Sequence, residues 1–197
     1  MKKILTIVAL SLCGVIATVV LIMGIVKTDF NQLITNDATY INVYMNGNSN
    51  SYNNDSDEFD ELYKLYYKGT KEVVLSSLFQ GAYSSDANAE INKSTTTLSS
   101  LTSSTSKTYL KFHYADAKQV ILNGEVYEDD TLTTTDKTVY YTDVLVEIAY
   151  SSVLTKVTAY IQNIDSYTSS TYQVSFVTNH VELYDYITEL NNEGELR

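Results

Sequence analysis

The sequence predicts an α+β domain carried behind a single transmembrane helix. Three observations predict it: an uncharged apolar run close to the N-terminus, several segments after residue 107 that alternate apolar and polar residues, and apolar stripes at helical spacing near both ends of the following domain.

The apolar run extends from Ile4 to Val26, 23 residues without a charge. As a helix it would be about 35 Å long, enough to cross a hydrocarbon core of roughly 30 Å with some tilt. Lys2 and Lys3 precede it, and Lys27 on the far side is followed closely by Asp29. Positive charge on the short N-terminal flank favours a cytoplasmic stub at 1–3, a signal-anchor at 4–26 and an extracellular domain. The run is too long for a cleaved signal peptide and no small-residue cleavage site follows it. Cys13 is the only cysteine and stands after Leu10-Ser11-Leu12. A lipoprotein signal would want a small residue in place of Leu12, so Cys13 reads as a small buried hydrophobe rather than a lipidated thiol.

All 24 acidic residues lie after Lys27, against ten basic ones, leaving that part with a net charge of −14. Such a surface argues against nucleic acid, which recruits basic patches. With no cysteine after residue 13, no disulfide can staple the domain, so an apolar core must hold it. The chain has no proline, one arginine and 18 tyrosines. That bias fits the codon usage of an AT-rich bacterial genome.

Residues 27–37 read as a juxtamembrane connector and 38–190 as the domain. Thr39 to Met45 alternates as a strand would, and the Asn/Ser-rich stretch at 46–54 has turn or loop chemistry. From Asp55 to Lys68 the pattern is helical. Asp55 is placed to cap it, acids crowd the first turn, and Phe59, Leu62, Tyr63 and Tyr66 share one face. A second helical run follows Gly69, either separate or continuous with the first. A weak strand signal surrounds Ala89 to Asn92. Residues 94–106 contain 11 Ser or Thr in 13 positions and read as a flexible surface loop.

Thr108 opens the β-rich half. Leu110, Phe112 and Tyr114 alternate with Tyr109, Lys111 and His113. Asn123-Gly124, between 119–122 and 125–128, has the composition of a two-residue hairpin turn. Further strands are expected at 138–150, 155–164 and 171–179. A closing helix has Asn179 as cap, Glu182 in its first turn and Val181, Tyr184, Ile187 and Leu190 inward. Residues 191–197 remain as a tail. The sum is a curved antiparallel sheet of about five or six strands, packed on one face by one or two helices and the C-terminal helix. In outline this is similar to small exported cystatin-like and nuclear-transport-factor-like domains behind a single transmembrane helix, although no motif ties the chain to a family.

Chemistry is harder to find. His113 and His180 have no neighbours at ligand spacing, so no metal is expected. The serines lie outside any nucleophile elbow, and no phosphate-binding glycine loop can be drawn, so no catalytic residue or cofactor is expected either. Two acidic clusters, 55–61 and 125–130, offer oxygen ligands for calcium. The first lacks the EF-hand order, and the helix dipole accounts for its acids. Tyrosines along the helix and strands fit either a partner surface or ordinary strand packing.

The expectation is therefore a non-catalytic binding or accessory module in the cell envelope, with a protein partner. The sheet face opposite the helices would meet that partner, with Tyr109, Lys111 and His113 as binding residues. Two alternatives stand beside it. One is a small-ligand or substrate pocket between sheet and helix, drawing on Tyr66, Tyr114, Asp116 and Glu147. The other is a self-associating structural protein.

Overall fold

In the computed structural model the chain divides into two units, Met1–Leu33 and Ile34–Arg197. The structure describes residues 33–80, 91–94, 96–128, 131–151, 155–164 and 170–197; for 71–80, 91–94, 122–128, 131–137, 170 and 176–177 this covers the backbone alone. The expected anchor at 4–26 lies outside the described residues. Among those described, no helix is long and apolar enough to cross a membrane.

The second unit is α+β. Its elements are β1 (Tyr40–Met45), β2 (Asn48–Asn53), α1 (Asp57–Gln80), β3 (Ile91–Ser94), α2 (Leu98–Thr102), β4 (Thr108–Glu128), β5 (Thr131–Ile148), β6 (Thr155–Asn163), β7 (Ser170–Thr178) and α3 (Val181–Asn192). Six strands form an antiparallel succession, β2-β1-β4-β5-β6-β7. The seventh, β3, lies antiparallel to β7 and pairs in parallel with the far end of β4, at Ile91–Val126 and Asn92–Tyr127.

Register turns the period of two into a core. Ile41, Phe112, Val144, Ile161 and Tyr172 line up across five strands, and Val43, Leu110, Val146, Ala159 and Val174 form the next row. All ten side chains are buried. Phe59, Leu62 and Tyr66 of α1 and Leu183, Ile187 and Leu190 of α3 supply the buried helix faces, with α1 in contact with α3, β2 and β7, and α3 in contact with β1. The Tyr66 ring meets Phe112 at 5.2 Å. Burying each large aliphatic side chain here stabilises the fold by about 1.5–3 kcal/mol relative to leaving it exposed.

Several local expectations are corrected. Residues 48–53 form a strand rather than a loop, because Asn46 (φ 54°) and Gly47 (φ 86°) make the tight turn that returns the chain along β1. Asn123-Gly124 does not turn. β4 continues through it, Asn123 pairing with Asp136 and Gly124 with Thr135, until Glu128 pairs with Thr131. The Ser/Thr-rich segment holds α2, since Leu98 finds a buried site and the Thr97 hydroxyl accepts from the Ser100 N–H. The helical stripe is one helix through Gly69, and its cap is Ser56 rather than Asp55, with the Ser56 hydroxyl accepting from the Phe59 N–H at 3.2 Å. At α3 the cap position belongs to His180 and has no side-chain hydrogen bond, so Asn179 does not cap.

The domain limits also move. The compact unit begins at Ile34, inside the expected connector. Thr35 donates its N–H to the Tyr114 hydroxyl at 3.0 Å, and Lys118 pairs with Asp37 while lying over the Tyr114 ring. That ammonium, followed by the Thr35 hydroxyl, holds the Asp37 carboxyl below its usual range. At the other end, 191–192 complete α3, and the residues beyond them return to the sheet, where Leu196 is buried.

Candidate functional site

Strand alternation places Tyr109, Lys111 and His113 on the sheet face opposite Leu110 and Phe112, away from α1 and α3. The register then brings in partners from distant parts of the chain. His113 lies between Tyr40 of β1 and Asp143 of β5, while Lys111 lies between Asn42 and Leu145. The Tyr40 and His113 rings stack at 4.4 Å with 17° between their planes. His113 Nδ1 is 3.1 Å from Asp143 Oδ1, and the Lys111 ammonium lies 3.6 Å from the same oxygen. The other carboxylate oxygen of Asp143 accepts from the Thr142 hydroxyl at 3.0 Å. A carboxylate only accepts, so the imidazole proton sits on Nδ1 and fixes the ring's tautomer and orientation.

The cluster is neither core nor loose surface. The side chains of Lys111, His113 and Asp143 retain 21–27% of their exposure. Lys107 adds a second ion pair with Glu147 at 2.9 Å. Two lysines and two carboxylates thus cancel locally, in a domain whose overall charge is strongly negative.

Tyr109 behaves differently from its two neighbours. It keeps only 1% exposure and joins Leu98, Leu145 and Tyr160 in a small second core beneath α2, with Tyr44 and Leu101 at its margin. Its ring meets Tyr160 edge-on at 6.4 Å. Burial raises the pKa values of both hydroxyls. The expected surface trio is therefore an accessible pair, Lys111 and His113, beside a tyrosine that α2 covers. Tyr40 and Asp143, which complete the cluster, carry no local sequence signal. Only the pairing of β1, β4 and β5 joins them.

The residues suggested for a pocket do not converge. Tyr66 and Tyr114 are buried in the main core, and desolvation raises both hydroxyls, Tyr114 to about 12. Asp116 is exposed on the far stretch of β4, and Glu147 lies on the opposite sheet face with Lys107. A cleft of about 280 Å³ does open between α1 and α3, lined by Leu65, Lys68, Gly69, Asn179, Val181, Glu182 and Leu183. Lys68 bridges its rim to Glu182 at 2.7 Å.

Behind that cleft His180 is not an ordinary surface histidine. It is 2% exposed, stacks obliquely on Tyr66 at 5.2 Å, and leaves Nδ1 without a hydrogen-bond partner among the described residues. Desolvation lowers its pKa to about 4, so it is neutral at physiological pH. Its chemistry is that of a packing residue.

Among the described residues no group of three or more His, Cys, Asp or Glu side chains is placed to hold a metal ion. The acids at 57, 58 and 60 occupy the first turn of α1, and the side chains of the second acidic cluster lie outside the described residues. Compared with family models, curated proteins and solved structures, the chain matches none.

Proposed function

We propose that this chain is a single-pass membrane protein, N-terminus inside, whose exported domain is a non-catalytic binding module of the cell envelope. Its partner is a protein, met by the sheet face that carries Tyr40, Lys111, His113 and Asp143. The uncharged run at 4–26 supports the anchorage. The stacked Tyr40–His113 pair supports the docking face, since it is an aromatic plate held by strand register, flanked by fixed charges and left partly open. Aromatic side chains with few freely rotating bonds lose little entropy on contact and are enriched at protein interfaces.

The test is site-specific photocrosslinking in native membranes. A photoreactive residue in place of Lys111 should give a discrete heteromeric product. The same residue in place of Lys64, an exposed position on α1, should not. Equal products from both positions, or none from Lys111 in well-expressed protein, would defeat the proposal. A product containing only a second copy would favour the self-associating structural reading instead.

A further inference from the structure

The outer edge of β2 is occupied by the chain's own last described residues. Ser49 donates its N–H to the Arg197 carbonyl at 3.0 Å, and Arg197 returns its N–H to the Ser49 carbonyl at 3.1 Å. Two residues that exchange both bonds are a directly opposed pair of an antiparallel ladder. Gly194, at φ 80°, reverses the chain after α3, and Leu196 is buried at 3% exposure, which seats the segment. The edge is therefore already used as a strand acceptor, over a single residue pair.

The remaining positions follow from that pair. If Ser49 bonds outward, Ser51 does too; at Asn53 the carbonyl already accepts the Ser56 N–H at 3.0 Å, and the Asn54 N–H turns inward to the Thr39 carbonyl, so the open edge is centred on Ser51. Among the described residues the Ser51 N–H donates to the adjacent Asn50 side chain, at 2.9 Å. This shields the edge with an exposed local contact, which an incoming carbonyl can replace.

Charge states what fits there. Asp57, Glu58 and Asp60 form the first turn of α1, which follows β2 in the chain and contacts it. These acids stand beside the edge in a part of the chain with a net charge of −14, and the residue seated on the edge is Arg197, the chain's single arginine, whose Nε donates to the Gly194 carbonyl at 3.4 Å.

We infer that β2 is a strand-acceptor edge. An extended, basic segment of a partner protein adds antiparallel to it and displaces residues 194–197, which act as an internal plug. Main-chain bonds supply the affinity and the acids beside the edge select the sequence. This deepens the reading of the domain as a binding module, but on a surface separate from the Lys111–His113 face.

The experiment uses the full-length protein and two fluorescein-labelled peptides, Thr-Lys-Val-Arg-Val-Lys-Thr and its counterpart Thr-Glu-Val-Glu-Val-Glu-Thr. Leu196→Ser removes the anchor of the plug. A plug that fills the edge nine-tenths of the time weakens binding about tenfold, so the basic peptide should bind this variant about tenfold more tightly than the natural chain. The acidic peptide should not bind. Adding Ser51→Pro removes an outward N–H at an edge position that tolerates proline, and should abolish binding while the thermal transition stays cooperative. If Leu196→Ser does not melt cooperatively, the comparison is made with Leu196→Ala. Unchanged affinity on freeing the plug, binding that survives Ser51→Pro, or equal binding of both peptides would overturn the inference. Ser51→Pro should leave the Lys111 photocrosslink intact, so failure at either surface is seen independently of the other.

Discussion

Gly69 and His180 are packed so closely that the absence of a side chain at 69 is what lets α1 meet the start of α3. A Cβ at position 69 would fall 2.5 Å from His180 Cδ2 and 2.4 Å from the Asn179 carbonyl oxygen. The Asn179 N–H in turn donates to the Gly69 carbonyl at 3.3 Å. A mid-helix glycine, unfavourable by about 1 kcal/mol against alanine, is retained here for contact rather than for conformation.

Gly69→Ala should therefore destabilise the domain despite its better helix propensity. The backbone carbonyl cannot swing away as a side-chain tip would, so α3 must shift. Overpacking of this kind costs about 1–3 kcal/mol, which leaves a net loss of up to about 2 kcal/mol once propensity is credited. Thermal unfolding followed by circular dichroism reads it. A raised Tm in Gly69→Ala would show that the helices separate more easily than this contact implies.

The buried imidazole predicts an acid-sensitive stability. His180 has a folded pKa of about 4 against an unfolded value of 6.5. The unfolded chain therefore takes up the proton first, and stability falls as pH drops through the window from 6.5 to 4. Once both states are protonated the loss is about 3 kcal/mol. Urea midpoints measured across that window should fall in the natural protein and fall much less in His180→Gln. Parallel profiles for the two proteins would exclude His180 as the cause.

The β1–β2 turn depends on positive φ. Gly47 sits at φ 86°, with Thr105 Cγ2 3.3 Å from where a Cβ would stand. Gly47→Ala should destabilise by about 1–2 kcal/mol, the cost of left-handed backbone for a residue with a Cβ. Amide hydrogen exchange should show faster exchange concentrated in β1 and β2. A uniform change across the sheet would point to a different role for Gly47.

The Asp143 cluster should matter more for recognition than for stability. Its ion pairs retain about a quarter of their exposure and are screened by solvent, so Asp143→Asn should change unfolding free energy by no more than about 1 kcal/mol. It also releases the His113 ring from its anchor, which it does equally in the chain that carries the photoreactive residue at 111. The Lys111 photocrosslink should then weaken far more than stability does. Loss of both in equal measure would make Asp143 a structural residue.

The alternation of Leu110, Phe112 and Tyr114 with Tyr109, Lys111 and His113 is a local property of an extended chain, and it was legible before any contact was known. So were the apolar stripe of α1 and the α+β class, because periodicity follows from backbone geometry alone. At α3, Ile187 and Leu190 face inward as expected, but Leu183 is buried while Val181 and Tyr184 stay half-buried. Strand β2 left little trace: its one buried side chain is Tyr52, and pairing with β1, rather than a hydrophobic face, makes it a strand. The chain holds two Asn-Gly pairs with the same local preference. At 46–47 the flanking strands end and the turn forms; at 123–124 the ladder with β5 extends through both residues and suppresses it.

By itself the sequence determined the class of fold, the faces of its long strands and helices, and an apolar run of membrane-spanning length. Tertiary structure alone decided which side chains share a place. It stacked Tyr40 on His113, set Asp143 beside both His113 and Lys111, covered Tyr109 with α2 and laid Arg197 against Ser49. Periodicity is written within one segment, whereas register is a relation between segments far apart in the chain, fixed only when their cores pack together.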